Sequence, residues 1–264
     1  MIAEIRFFFN GEGFPNVIMV TMDVLGTRHS WHVTPKEAVE VQRRVRADVR
    51  SDVSMPLERV RLVAGVDVSS TRFDRVLTAG IVVWDRLGNR VVETVSVQRE
   101  GTFPYVPGLL SFREIPVLIE TIALLKTAPD AWMVDGQGIA HPRRLGIAAH
   151  LGLVLGQPTV GCAKSILCGT HGPLGDVAGS ETPLEHQGER IGTLLRSKAK
   201  SNPLIVSPGH VCDHESVLAL VRACLRGYRL PEPTRLAHLY VNAVRIGTLR
   251  QAQGDNVKQL FDVA

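Results

Sequence analysis

Hydrophobic positions along the chain change period several times, and each change marks an element. Residues 1–30 hold the Phe7-Phe8-Phe9 run, a Gly/Asn turn cluster and the short apolar stretch Val17-Ile18-Met19-Val20, a pattern that nothing later continues. It reads either as an extra hairpin packed on an edge of the fold or as an extension ahead of a true start at Met22. From Thr34 the pattern becomes helical. Thr34 stands at the N-cap position, Pro35 at the first helical position and Glu37 three residues after the cap. Val39, Val41, Val45 and Val49 then recur at roughly helical spacing among arginines. Residues 60–69 are β-branched and almost apolar on both faces, which predicts a strand in the middle of a sheet. Residues 76–84 and 91–98 predict two more strands, joined by a turn through Leu87-Gly88-Asn89, so the three form an antiparallel meander.

After Pro104-Tyr105-Val106-Pro107-Gly108 a helix is expected from near Ser111, carrying Glu114. Residues 131–135 are short, apolar and bounded by Gly136, which predicts another buried strand. A helix over 142–155, a strand over 158–162, a variable region, a strand pair over 190–195 and 204–207, and two final helices complete the chain. A meander followed by alternating helices and strands predicts an α/β fold, a mixed sheet flanked by helices on both faces. With 264 residues, no internal repeat and no low-complexity segment, the expected organisation is an N-terminal extension over 1–30 and one domain over 31–264.

Composition narrows the function classes. Hydrophobic residues at 45% and charged residues at 21% exclude a disordered chain. A net charge of +4 leans mildly towards a polyanionic partner, a lean that many metabolic enzymes share. No apolar run reaches the length of a membrane span, and the 145–156 stretch, which carries His150, reads as a buried core helix. Glu4 and Arg6 precede only three phenylalanines before Asn10 and Gly11, which lacks the apolar core of a signal peptide. Cys162, Cys168, Cys212 and Cys224 form no C-x-x-C pair and read as reduced thiols. A cytoplasmic, membrane-free monomer is the expectation.

Two aspartates carry the first chemistry. Asp67 lies within an otherwise apolar strand, where an unpaired charge costs several kcal/mol, so it should face a cation, a donor set or a cleft; alternatively it caps a turn with Ser69 and Ser70. Asp135 repeats the arrangement, four apolar residues followed by Asp and then Gly136-Gln137-Gly138. Ligand and catalytic groups gather at the carboxyl ends of strands in open α/β sheets. If the two strands are neighbours they lie roughly 4.8 Å apart, and a divalent cation would resolve the repulsion of the two carboxylates. Oxygen ligation favours Mg²⁺ or Mn²⁺ over zinc, with Glu114 available for a third oxygen. Gly136-Gln137-Gly138 lacks the third glycine of a dinucleotide loop and is set aside as one. Arg143 and Arg144, placed at the start of the 142–155 helix, read either as a phosphate clamp or as solvated first-turn charges. Tyr105 sits in a loop stiffened by two prolines, either as an exposed wedge that unstacks a base or as a loop tyrosine packed into the core. His210 and His214 form only a weak zinc signal, with Asp213 expected to cap a helix. His238 by itself reads as a core histidine as readily as a catalyst.

Taken together, the motifs resemble the endonuclease V family. The resemblance rests on the Gly65-Val66-Asp67 strand, on residues 104–114, on the block from Asp135 to Arg143 (Asp-Gly-Gln-Gly-Ile-Ala-His-Pro-Arg) and on residues 158–164. Ser207-Pro208-Gly209-His210 and residues 231–238 add to it, in the family's order over about residues 31–248. It implies a ribonuclease H-like fold in which Asp67, Asp135 and Glu114 hold Mg²⁺, for which Mn²⁺ substitutes. Lys164 and His238 match the family's active-site lysine and histidine. Tyr105, framed by Pro104, Val106 and Pro107, matches the wedge. Gly108 and Leu110, with Gly136 and Leu167, match the pocket for a flipped hypoxanthine, and His141 and Arg143 match substrate-contacting positions. Gln137 stands where the family often has His, and Cys162 where it often has Val or another small apolar residue. The implied activity is hydrolysis of the second phosphodiester bond 3′ to deoxyinosine in DNA, leaving 3′-hydroxyl and 5′-phosphate ends. The implied partners are DNA with deoxyinosine or other deaminated bases, single-stranded DNA and inosine-containing RNA. The rival is a nuclease of the same fold preferring inosine-containing RNA or branched DNA. A non-cleaving binding module would be expected to have lost an acidic ligand, and none is lost here.

Overall fold

The computed structural model describes residues 29–69 and 75–247, together with the backbone of two strands at 4–9 and 15–22. These strands, β1 (Glu4–Phe9) and β2 (Pro15–Met22), pair antiparallel into a sheet of their own. A hairpin is therefore present, but it does not extend the main sheet by strand pairing. The turn cluster between its strands lies outside the described residues, as does Ser70.

Helix α1 (Pro35–Val45) begins with the expected capping box: Glu37 N–H donates to Thr34 Oγ1 at 3.3 Å, and Thr34 N–H donates to Glu37 Oε2 at 2.8 Å. Such a cap stabilises a helix by about 1 kcal/mol. A 3₁₀ turn over Arg46–Asp48 follows, so Val49 lies beyond the helix that its spacing suggested. The meander forms as expected from β3 (Leu62–Ser69), β4 (Val76–Asp85) and β5 (Arg90–Glu100). Helix α2 (Leu110–Ile122) leads into β6 (Ala131–Val134), helix α3 (Ile147–Leu155) and β7 (Thr159–Ala163). The variable region contains β8 (Thr170–His171) and β9 (Glu181–His186), which the hydrophobic pattern did not announce. β10 (Glu189–Leu195), β11 (Leu204–Pro208), α4 (His214–Ala223) and α5 (Glu232–Arg245) complete the described chain.

The nine main strands run in the order β5-β4-β3-β6-β7-β11-β10-β9-β8. β3, β6 and β7 are mutually parallel neighbours, and the other pairings are antiparallel. Alternate residues of the central strands feed two cores. Val63, Val82, Met133 and Val160 pack against Val217 and Leu220 of α4 and Leu236 and Tyr240 of α5. Ala64, Val66, Ile81 and Trp132 pack on the other face against Ile115 and Leu118 of α2 and Leu151 and Val154 of α3. Helix α1 lies further out, its Ala38, Val41 and Val45 against Phe112 and Leu153. The mixed sheet covered on both faces is thus the predicted architecture.

One boundary differs with consequences. The helix expected over 142–155 begins only at Ile147, with Gly146 as its N-cap. Arg144 adopts φ +57, a left-handed conformation that no helix continues through, so Arg143 and Arg144 belong to the preceding loop. Asp213 caps α4 as expected, accepting from Ser216 N–H at 2.7 Å.

The position of α5 is set by an absent side chain. A Cβ on Gly65 of β3 would lie 1.8 Å from the Pro233 carbonyl oxygen, so the helix crosses the strand at backbone contact. Gly80, opposite Asp67 on β4, extends this bed; a Cβ there would meet Val241 Cγ1 at 2.8 Å. From the Gly65–Pro233 contact, two residues of strand to Asp67 span roughly 6.6 Å and five residues of helix to His238 roughly 7.5 Å. Near-equal travel brings the two side chains level. Replacing Gly65 with Ala should therefore force the helix off the sheet and lower stability by about 3 kcal/mol, the upper range for overpacking against rigid groups. Urea unfolding of the variant measures this, and an unchanged midpoint would refute the backbone contact.

Candidate active site

The strand register delivers the two aspartates side by side. β3 and β6 pair in parallel up to Val66 opposite Val134, and Asp135 N–H donates to Val66 O at 2.9 Å. Asp67 and Asp135 are the next residues on each strand, as neighbouring strands were expected to place them. Both side chains are only about 10% exposed. Each meets one basic group. Lys164, immediately after β7, places its ammonium on Asp135 Oδ2. His238 Nδ1–H donates to Asp67 Oδ2 at 2.8 Å. Asn242, one turn along α5, donates Nδ2–H to the His238 carbonyl at 2.9 Å and sits 3.2 Å from His238 Nε2. That arrangement assigns the imidazole proton to Nδ1 and leaves Nε2 as the acceptor.

Burial, and then the adjacent Asp67 carboxylate, push the Asp135 carboxyl above its ordinary range, against the pull of Lys164. Two low-exposure carboxylates in contact range are a deficit of positive charge that a divalent cation relieves. One donor atom each from Asp67, Asp135 and His238 lies within 4.8 Å of the others, the group among the described residues able to hold a metal ion. The two carboxylates supply the hard oxygen donors that Mg²⁺ and Mn²⁺ prefer. Glu114, half-buried on α2, lines the same cavity but is not in that group. The third donor of that group is His238.

The cavity beside this cluster has a volume of about 390 Å³, within the usual range for a small-molecule site. Its lining includes Asp67, Asp135, Glu114 and Lys164, and also Tyr105, Pro107, Gly108, Leu110, Gly136, His141 and Leu167. Tyr105 is 37% exposed and Leu167 42%, so Tyr105 is not a core residue, and the packed alternative falls. Pro104 is exposed beside it, while Val106 is half-buried against the cluster of Phe103 and Leu109 and anchors the loop.

The arginines do something other than expected. Arg143 donates Nη2–H to the Gly108 carbonyl at 2.9 Å and Nε–H to Gln42 Oε1, so its guanidinium is engaged inside the protein. Arg144 is tied to Glu189 at 2.7 Å and to the His186 carbonyl at 2.9 Å. Neither is a solvated first-turn charge. His141 donates Nε2–H to the Gly108 carbonyl at 3.0 Å while its Nδ1 accepts from Arg143 N–H at 3.1 Å. Burial first, then the Arg143 guanidinium, push its pKa down to about 4. His210 is buried, with Nδ1 accepting from Arg50 N–H at 3.2 Å, and joins no metal-binding group with His214 among the described residues.

Sequence reasoning missed three contributors: Gln42 and Ser111, which line the cavity, and Asn242, which orients His238. Gln42 carried a usable signal, a polar residue on the buried stripe of Ala38, Val41 and Val45. Asn242 lies four residues after His238, one helical turn, but an asparagine on an exposed helix side carries no such mark.

A family model described as Endonuclease V matches residues 42–239. An endonuclease V of Gloeobacter violaceus is 49% identical over 220 residues, covering 82% of this chain and 89% of that protein. The crystal structure of an endonuclease V from Streptomyces avermitilis aligns with TM-score 0.77 at 37% identity, covering 83% of this chain and 97% of the other. That of Ciona intestinalis, in complex with a 24mer DNA containing an inosine followed by a ribo-adenosine, aligns with TM-score 0.70 at 25% identity, covering 81% and 98%. The mixed sheet and its helices are the ribonuclease H-like α/β fold of these structures.

The protonation of His141 is open to measurement. Its folded pKa lies below the unfolded value near 6.5, so between the two the unfolded chain binds the extra proton. The stability it contributes is complete above about 6.5 and is lost as pH falls towards 4. Thermal melts of the protein and of His141→Gln between pH 7.5 and 4.5 should converge as pH drops. Parallel curves would show that His141 is not held neutral.

Proposed function

Because this chain belongs to the endonuclease V family and is thereby a nucleic-acid endonuclease, we propose that it recognises deoxyinosine in DNA and hydrolyses the second phosphodiester bond 3′ to it. The observation that carries this reading is the meeting, in one cavity, of the paired Asp67 and Asp135 carboxylates with an exposed tyrosine on a proline-stiffened loop. Residues 31–264 act in this reading as one catalytic domain and as a monomer. The four cysteines are free thiols, which supports a reducing, cytoplasmic setting.

Asp67 and Asp135 would hold Mg²⁺ or Mn²⁺, with Glu114 facing the same space to supply a further oxygen. Bound there, the ion supplies Lewis-acid neutralisation of the phosphate and lowers the pKa of the attacking water. The chain's own residues do the rest. Asp67 fixes the His238 ring through Nδ1–H, so that Nε2 is the basic nitrogen available to orient water and take its proton. Lys164, paired with Asp135 at rest, offers its ammonium to the charge that grows on phosphate oxygens in the transition state. Tyr105 fills the gap left in the stack when a base leaves it, at small entropic cost because Pro104 and Pro107 fix the backbone. The base enters the cavity past Gly108 and Gly136, where the wall is largely backbone. Hypoxanthine pairs weakly for want of guanine's exocyclic amine, so it is cheaper to extrude than a normal base.

Inosine-containing RNA is the second reading. It is favoured by the ribo-adenosine that follows inosine in the nucleic acid bound to the Ciona relative.

A labelled duplex with one deoxyinosine, incubated with Mg²⁺ or EDTA and resolved on a sequencing gel, should show one metal-dependent nick at the second bond 3′ to the lesion. Asp135→Asn should slow it by about 10²–10³-fold, the scale of losing one electrostatic group. Equal cutting of undamaged duplex would sink the lesion reading, and near-normal cutting by Asp135→Asn would sink the metal site. Tyr105→Ala should impair cleavage of duplex roughly tenfold more than that of single strands, in line with the worth of one base–aromatic stack. Equal losses on both would remove the wedge.

A further inference from the structure

One carbonyl on the cavity wall attracts more hydrogen bonds than its own satisfaction requires. Gly108 O accepts from Gln42 Nε2 at 3.0 Å, from His141 Nε2 at 3.0 Å and from Arg143 Nη2 at 2.9 Å. A carbonyl offers two lone pairs, and a single donor already removes the cost of burying it. These donors come from α1 and from the loop ahead of α3, so the oxygen is where two distant segments are pinned to the Tyr105 loop. The turn is tight as well. Gly108 adopts φ +78, and a Cβ there would meet Arg143 Nη2 at 3.1 Å.

Gln42 is the member of this clamp that packing does not explain. Its side chain is 1% exposed on the apolar stripe of α1, where a hydrocarbon of the same shape would carry no hydrogen-bond requirement. Yet each of its polar atoms is committed. Nε2 donates to Gly108 O and, at 3.1 Å, to Leu145 O, and Oε1 accepts from Arg143 Nε. Gln42 therefore grips the Gly108 carbonyl directly and also steers the guanidinium that grips it from the other side. The loop leaves Gly108 in one direction towards Pro107 and Tyr105, and in the other towards Leu110, all of which line the cavity.

We propose that Gln42 is a positioning residue for lesion recognition: through the Gly108 carbonyl it fixes both the cavity wall that receives the extruded base and the base of the loop that presents Tyr105. The proposal rests on reading the cavity as the pocket for that base. It assigns to Gln42 an effect on substrate recognition and none on bond breaking, because the residue reaches neither Asp67, Asp135, Lys164 nor His238.

The test uses Gln42→Met, which keeps the shape and removes the hydrogen bonds, and Gln42→Glu, which keeps an acceptor for Arg143 but has no donor for Gly108. Cleavage of deoxyinosine duplex is followed by steady-state kinetics. Binding of deoxyinosine duplex and of undamaged duplex is measured in EDTA, and folding is checked by circular dichroism. Both variants should raise KM about tenfold with kcat within twofold of the parent. Their binding preference for the lesion should fall about tenfold while affinity for undamaged duplex stays unchanged. A purely structural role reads differently, because partial unfolding lowers kcat in proportion to the folded fraction and leaves KM alone. A fall in kcat alone, or a KM and lesion preference within twofold of the parent, overturns the assignment of Gln42 and leaves the pocket intact. A parent protein with no preference for deoxyinosine over undamaged duplex overturns the pocket, and this inference with it.

Discussion

Two carboxylates stand one residue beyond the last hydrogen-bonded pair of adjacent parallel strands, and they cannot both remain ionised there without positive charge in reach. Much of the architecture can be understood as meeting that demand. Parallel neighbours require a crossover, and the segment between β3 and β6 supplies it by way of the meander and α2. The next parallel strand, β7, ends where Lys164 can lie against Asp135. The far side of Asp67 is closed by an imidazole brought from a helix that is distant in sequence. The raised affinity of Asp135 for a proton reflects its burial first and then the neighbouring Asp67 carboxylate, which together outweigh the pull of Lys164.

The cavity beside this charge pair is built on the opposite principle. Its wall at Gly108 and Gly136 is backbone, and the loop leading to it is held by prolines and by an unusually well-served carbonyl. A surface that must tell one purine from another by its edge gains from rigidity, since a wall that yields will accept several shapes. Arg143 illustrates the division of labour. In sequence it read as a phosphate clamp or as a solvated first-turn charge, and in the structure its guanidinium is turned to the loop.

How much of this was legible depended on whether the signal was local. The capping box at Thr34, the meander, and an aspartate ending each of two apolar strands are written in consecutive residues, and the structure repeats them. The two carboxylates could thus be paired on chemistry alone. What failed to show was tertiary. The start of α3 was placed too early because Pro142 and the arginines look like a first turn, whereas Gly146 is drawn to the Gly138 carbonyl at 2.9 Å and the helix waits for Ile147. β8 and β9 lie at the sheet's far edge: β8 is two exposed residues, and β9 alternates but turns only Thr182 and Leu184 inward, too few apolar positions to mark a strand. That His238 meets Asp67 was likewise decided only by the placement of α5.

The bare backbone of Gly65, where α5 lies against the sheet, also fixes when the site can exist. Asp67 and His238 are 171 residues apart, and Asp135 and Lys164 leave the ribosome long before the helix that carries the histidine. A nascent chain that has folded its first strands holds the acids and the lysine but not the imidazole. Only when the last described helix settles into the groove left by two missing side chains does the histidine arrive. Completion of the cluster is in this sense a report that α5 has docked on the sheet.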